Sequence, residues 1–302
     1  MKRANVLGAA LVVASTVAAA TPAVAQVTVG ADVALNSRYM FWGLTLSNRP
    51  VIQPDVYLTY AGFTAGVWGN FEVSGNSDPN DFTSGGTRTG NTEVDYWTEY
   101  NRAVGPTALK LGVIRWTYSQ KNTGTLSPYA TQASFPGLKN GPDINSTEIY
   151  GAVTVTSIPL SPNLTLYYDT DIYKGLFGWA SVTQPVPVGT KSLNLGALMG
   201  FSVGESNTTS NQIPLFVKEG ITHVDFSAGL PLTVGTLAIT PNAHFQINVD
   251  DATKFTSGTQ SNGKTVFTVG TTIGWSKGFG GAEEKPAEAE PAGGETNAAP
   301  PQ

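Results

Sequence analysis

The chain is 302 residues long, with 17 Lys and Arg against 22 Asp and Glu, 2 His and no Cys, for a formal net charge of −5. Charged residues are 13% of it, about half the share in an ordinary soluble domain, whereas Gly (34) and aromatics (10%) are plentiful. This balance excludes a basic nucleic-acid binder, a disulfide scaffold or thiolate metal centre and a highly charged disordered chain.

Lys2 and Arg3 precede a mostly Ala, Val and Leu run from Ala4 to Ala20, and Ala23-Val24-Ala25 supplies the small residues of a cleavage site. The pattern predicts a secretory signal peptide over residues 1–25. The apolar run is shorter than the ~20 residues of a spanning helix, and Pro22 interrupts it. Loss of the leader removes two positive charges and leaves −7.

From Gln26 the dominant period is two. Val27, Val29, Ala31, Val33, Leu35, Tyr39 and Phe41 share one face, opposite Asp32, Asn36 and Arg38. The same alternation recurs around Ile52 to Tyr60, Phe63 to Val73, Val94 to Tyr100, Ile149 to Val155, Leu164 to Ile172, Leu193 to Val203, Val224 to Leu230, Leu237 to Ile247 and Phe267 to Trp275. Sustained alternation predicts strands with one apolar and one polar face. In Ala108–Tyr118, Lys110 and Arg115 fall on opposite parities. Either a bulge at Gly112 reconciles them or Arg115 sits at a membrane boundary.

The connections alternate in length. Short ones are predicted at Ala61-Gly62, Gly105-Pro106, Ser157 to Pro162, Pro185 to Gly189 and Pro231 to Gly235. Longer ones are predicted at Ser74 to Asn91, Lys121 to Ser146, Gly204 to Glu219 and Asp250 to Gly263. Ser47 to Pro50 and Lys174-Gly175 fall on the long side but read as short. Such a pattern over about twelve strands predicts an all-β fold, a closed antiparallel up-and-down transmembrane β-barrel of residues 26–279 with both ends in the periplasm. A secreted β-sandwich, apolar face inward, is the alternative. The last strand favours the barrel: Gly270, Ile273 and Trp275 match the terminal signal read by the barrel-assembly machinery. Residues 280–302 are Ala, Pro, Gly and five Glu against Lys285, a composition that predicts a disordered acidic periplasmic tail.

The segments Ser37-Arg38-Tyr39-Met40-Phe41-Trp42-Gly43-Leu44-Thr45-Leu46-Ser47, Arg49 to Gln53 and Gly62 to Asn70 resemble the opening of the TorF-type porins, a family of bacterial outer-membrane barrels. The resemblance covers about 45 residues, Val27 to Glu72. Family members commonly carry Arg before the Gly, where this chain has Trp42. The resemblance implies an outer-membrane barrel and passive permeation. It carries over no catalytic residues and names no solute.

No phosphate loop, zinc-protease helix or nucleophile elbow is present. The lumen face is expected to carry Asp32, Asp55, Glu72, Glu93, Asp95, Glu99, Glu148, Asp169, Asp171 and Asp225 against Arg38 and Lys110. Unpaired acids need water, so this excess predicts a wetted, cation-preferring passive channel for small solutes and ions, narrowed by the Lys121–Ser146 loop. Its surroundings are outer-membrane lipid and lipopolysaccharide; no cofactor or nucleic-acid partner is implied. Pairing about Thr233-Val234 puts His223 opposite His244, a candidate gate or metal-binding pair. Pairing about Pro159-Leu160 puts Glu148 opposite Asp171, with Asp169 beside them, a candidate calcium seat. Two other readings stand beside the channel: a plugged structural or adhesive barrel, and an outer-membrane lipid hydrolase, which needs Ser or Thr beside a lipid-facing His.

Overall fold

The computed structural model describes residues 26–73, 90–118, 145–171, 173–204, 215–256, 260–261 and 263–279. The expected leader, the expected tail and residues 121–144 of the expected constriction loop lie outside the described residues.

The described chain is all strand and turn, apart from one short 3-10 turn at Ala252–Lys254. In chain order the strands are β1 (Val27–Asn36), β2 (Tyr39–Phe41), β3 (Leu44–Ser47), β4 (Val51–Tyr60), β5 (Phe63–Glu72), β6 (Gly90–Val104), β7 (Thr107–Trp116), β8 (Ser146–Val155) and β9 (Asn163–Asp169). There follow β10 (Leu176–Val188), β11 (Lys191–Val203), β12 (Gly220–Gly229), β13 (Leu232–Val234), β14 (Leu237–Asn248), β15 (Phe255–Thr256), β16 (Gln260–Ser261) and β17 (Thr265–Phe279). Neighbouring wall strands pair antiparallel, and β1 closes the wall on β17 from Val27↔Phe279 to Asn36↔Gly270. With β12 and β13 as one stave, the wall is a closed barrel of 12 strands.

The two faces of the wall are chemically inverted relative to a soluble protein. Val56, Leu58, Val67, Leu111, Ile149, Leu164, Met199, Phe226 and Val269 face outward and are exposed. Gln53, Asp55, Asn70, Glu93, Asp95 and Glu148 face inward and are buried. A sandwich would bury the first set and expose the second, so the alternation belongs to a barrel with lipid outside and polar groups within. Exposed aromatics stand towards both ends of the outer surface: Tyr60 and Phe63 at one, Phe71, Tyr168 and Phe267 at the other.

One end of the barrel, the turn end, carries tight connections and both ends of the wall. At Ala61-Gly62 both residues have positive φ, 51° and 86°, the turn whose twist matches two antiparallel strands. The other, the loop end, carries the long connections. Two expected turns are displaced. β10 runs through Pro185 and Pro187 to Val188, and the last hairpin turns at Gly235-Thr236 rather than around Thr233. These prolines sit within paired strands instead of ending them, which is tolerated where the ladder asks no N–H of that residue.

β2 and β3 leave the wall altogether. The chain was expected to carry Tyr39 and Phe41 outward on the apolar face of β1, with a short turn at Ser47 to Pro50. Instead it turns inward at Ser37, forms an antiparallel hairpin, and returns to the wall at Val51. Tyr39 and Phe41 are buried inside the barrel.

Candidate functional site

The hairpin fills the lumen beneath the loop end. Its turn is Trp42-Gly43, with φ of 50° and 81° and Phe41 paired to Leu44 across it. Positive φ is rare for a bulky residue and persists only where the surroundings hold it. Here Trp42 stacks on Phe41 (4.5 Å, 19°) and on Phe177 of β10 (4.5 Å, 16°). Tyr167 and Trp116 pack around it at 5.8 and 6.3 Å. Gly43 is needed twice over. Its backbone is left-handed, and a Cβ there would sit 2.4 Å from the His223 ring. Gln246 of β14 donates to the Gly43 carbonyl at 2.7 Å, tying the tip to a wall strand two places from β1.

The hairpin is also held from above. β15 pairs parallel with β3 at Thr256↔Thr45 and antiparallel with β16, so the last loop-end connection extends the inner sheet. Asp250, fully buried, anchors that connection: its carboxylate accepts from the backbone N–H groups of Val217, Lys218 and Ala252 at 3.0, 3.1 and 2.8 Å. Beside the hairpin an amide chain crosses four wall strands, from Asn36 to Gln53 (2.8 Å), Gln53 to Asn70 (3.0 Å) and Asn70 to Thr92 (2.7 Å).

The lumen acids are drier than their number implied. Asp55, Glu72, Glu93, Asp95, Glu99, Glu148 and Asp169 are all buried. Neutral donors reach many of them. Tyr39 donates to Glu93 at 2.7 Å, Tyr150 to Glu99 at 2.9 Å, Trp97 to Asp55 at 3.3 Å and the Thr117 N–H to Asp95 at 3.0 Å. Asp169 accepts from Ser146 and from the N–H groups of Asp171, Tyr173 and Lys174. Phenol, indole and amide donors thus meet one oxygen of several of these acids inside the lumen.

The turn-end half differs, above all on the wall of β11, β12, β14 and β17. Asn194, Gly196, Asp225, Ser227, Asn242, His244 and Thr272 face inward yet stay partly exposed. His244 Nδ1 and Asp225 Oδ1 are 2.9 Å apart, and the histidine side chain is 44% exposed. These polar groups line a solvent-accessible vestibule under the hairpin tip.

Comparison with known proteins places the chain. Residues 19–273 match the family model Gcw_chp, bacterial protein of unknown function. The chain belongs to the Gcw_chp family. No curated protein matches it. Among solved structures, this Gcw_chp barrel is similar to the KdgM porin in complex with disordered oligogalacturonate (8% identity, 84% of this chain and 99% of that one, TM-score 0.41). It is similar to LpxR from Salmonella typhimurium (8%, 82% and 99%, TM-score 0.43). It is also similar to the COG4313 outer membrane channel from Pseudomonas putida F1 (11%, 85% and 97%, TM-score 0.43). Likeness at this level says nothing of activity.

The Gcw_chp barrel separates residues that the sequence appeared to join. His223 pairs with Asn248 and His244 with Ser227, so the two histidines are not opposed. The turn lies two residues further along than expected, which moves the register by four. His223 is buried, 2.9 Å from Thr222 Oγ1 and stacked with Phe177. Glu148 pairs with Asp169, not Asp171. Asp171 lies past the end of β9 and pairs with Arg115 at 2.7 Å. No group of three metal-ligating side chains gathers among the described residues. β7 runs without a register shift, so Gly112 is not bulged and Arg115 stands on the outward parity at the loop end. Lys110 faces the lumen and pairs with Glu99 at 3.2 Å. Asp32 lies opposite Asp55 on the lumen side, and Arg38 lies past β1, where the chain turns inward. Trp275 is outward, paired with Ala31; Ile273 pairs with Val33, and Gly270 with Asn36.

Sequence reasoning missed the hairpin. The usable signal was Trp42-Gly43 between two short alternating runs, but such a turn is normally announced by Asn-Gly or Asp-Gly. It also missed Gln246 and Asp250, whose roles depend on contacts with residues far away in sequence.

Proposed function

We propose that this Gcw_chp protein is a bacterial outer-membrane channel of the porin type, and that its own hairpin, Tyr39–Ser47, gates it. The loop end faces outside and the turn end faces the periplasm, as the lengths of the connections suggest. The hairpin's position across the loop-end lumen carries the reading. It lies packed across the loop-end lumen, while the inward polar groups below it stay partly open to solvent. The hairpin belongs to no wall ladder, so it can leave without unpairing the barrel.

When open, the channel prefers cations, because the lumen acids outnumber Arg38 and Lys110 and acid-lined pores exclude anions. The resemblance of Val27–Glu72 to the TorF-type porins supports permeation over catalysis. Delivery by the barrel-assembly machinery, and surroundings of lipid and lipopolysaccharide, follow from the apolar outer surface and the Trp275 strand. A permanently plugged structural barrel is the second reading, favoured by how densely Trp42 is stacked.

Conductance in planar bilayers tests both. The whole barrel should show small or rare openings. A variant with residues 39–47 replaced by a Gly-Ser linker should conduct severalfold more, with a reversal potential towards potassium. No conductance from a folded hairpin-less barrel would overturn the channel reading, and an anion-selective one would overturn the cation preference.

A further inference from the structure

Where β1 gives way to the hairpin, the wall is incomplete. β17 continues past Gly270 to Thr265, but β1 ends at Asn36, so above that point, among the described residues, no strand pairs with β17 on that side. Among the described residues the rim is stitched at Ser37, whose N–H donates to the Val269 carbonyl at 2.9 Å and whose hydroxyl accepts the Val269 N–H at 3.0 Å. Across the gap, Val73 N–H donates to the Pro50 carbonyl at 3.3 Å.

A cavity of about 410 Å³ occupies this break, lined chiefly by Leu35, Pro50, Val51, Ile52, Val73 and Val269. That volume falls within the ~300–1,000 Å³ range of ligand sites. Its lining comes from both faces of the sheet: Leu35, Ile52 and Val269 point outward and are exposed, whereas Val51 has inward parity and is buried. Buried Val51 forms its floor, so the cavity is an open notch in the outer rim of the wall. It opens level with Phe71 and Phe267, exposed aromatics at the loop end of the apolar belt.

We propose that this notch seats one acyl chain of an outer-leaflet lipid, at the hinge of the hairpin. The lining is almost wholly apolar, so water there would lack the polar partners it needs. The notch is continuous with the surface that lipid already covers, which makes a hydrocarbon chain the occupant at hand. A lipid held between Ser37 and Pro50 touches both points where the hairpin leaves the wall. This goes beyond the gating proposal and stands whether or not the barrel conducts.

The chain has no cysteine, so Ser37→Cys gives a single labelling site. The bimane-labelled full chain is refolded in phosphatidylcholine vesicles, and the label is challenged with chain-brominated phosphatidylcholine and with aqueous iodide. Leu58→Cys serves as the lipid-facing control and Ser227→Cys as the lumen control. Brominated lipid should quench the Ser37 label about as strongly as the Leu58 label, and iodide severalfold less than it quenches the Ser227 label. Adding Ile52→Phe and Val269→Phe to fill the notch should cut the bromolipid quenching severalfold. Dominant iodide quenching would show a water-filled gap and overturn the proposal. Protection from both quenchers would overturn it too, by showing that protein covers the notch: the chain following Val73 or a second copy. Heat-modifiable migration confirms assembly of each sample, and Pro50→Cys replaces any variant that fails to assemble.

Discussion

The two halves of the lumen are built from the same strands but run on different physics. Under the loop end, Trp42, Phe41, Phe177, Tyr167 and Trp116 pack as a small aromatic core, and carboxylates survive there by accepting from phenol, indole and backbone donors. Under the turn end, Asp225 and His244 face each other in reach of solvent. The inserted hairpin makes the difference: it excludes water from one half and leaves the other open. The lesson is that a polar strand face does not reveal whether its lumen is wet. A chain segment folded inward can supply donors in place of water.

That contrast can be broken most forcefully at the hairpin tip. Trp42→Ala removes both of the ring's stacks, on Phe41 and on Phe177. The loss should be about 3 kcal/mol, roughly a hundredfold in the ratio of docked to open hairpin, seen as a sharp rise in open time in planar bilayers with unchanged heat-modifiability. Gly43→Ala should act in the same direction, less strongly. Its left-handed backbone costs about 1–2 kcal/mol, beyond the clash with His223. His223→Ala should recover the clash but not the backbone cost, and open-time recordings of the double variant would show a partial rescue.

Matched substitutions sharpen the comparison. Tyr39→Phe in the dry half leaves Glu93 without its 2.7 Å phenol donor, an expected loss of about 1–3 kcal/mol in the barrel's unfolding free energy, measured by denaturant titration. Asp225→Asn in the wet half should cost about 1 kcal/mol or less, since exposed pairs are weak and water replaces the partner. Equal effects at the two sites would mean that both halves share one environment. The smallest effect tests register alone. Cysteines replacing Ser227 and His244 should crosslink under mild oxidation, because opposed Cβ atoms lie about 4.5–5.5 Å apart. Cysteines replacing His223 and His244 should not.

The architecture was legible in the sequence because it follows from local rules. Period-two alternation of Val, Leu and Tyr with Asp, Thr and Asn marks a two-faced strand wherever it occurs, and the lengths of the connections sort the two ends. The inward placement of Asp32, Asp55, Glu93, Glu148 and Asp225 follows from parity alone. Register was not legible, since it depends on where a turn closes: the sequence centres the turn of Pro231 to Gly235 on Thr233-Val234, yet pairing continues to Val234↔Leu237, and the His223–His244 pair dissolves with it.

The hairpin was less legible still. Tyr39 and Phe41 continue the apolar parity of β1 without interruption, so sequence alone has them facing lipid. What turns them inward is tertiary: a stack on Phe177, an amide from Gln246 and a strand pairing with Thr256, from residues about 140 to 220 positions away. An aromatic side chain is satisfied by lipid or by other rings alike, and only the closed barrel brings those rings within reach.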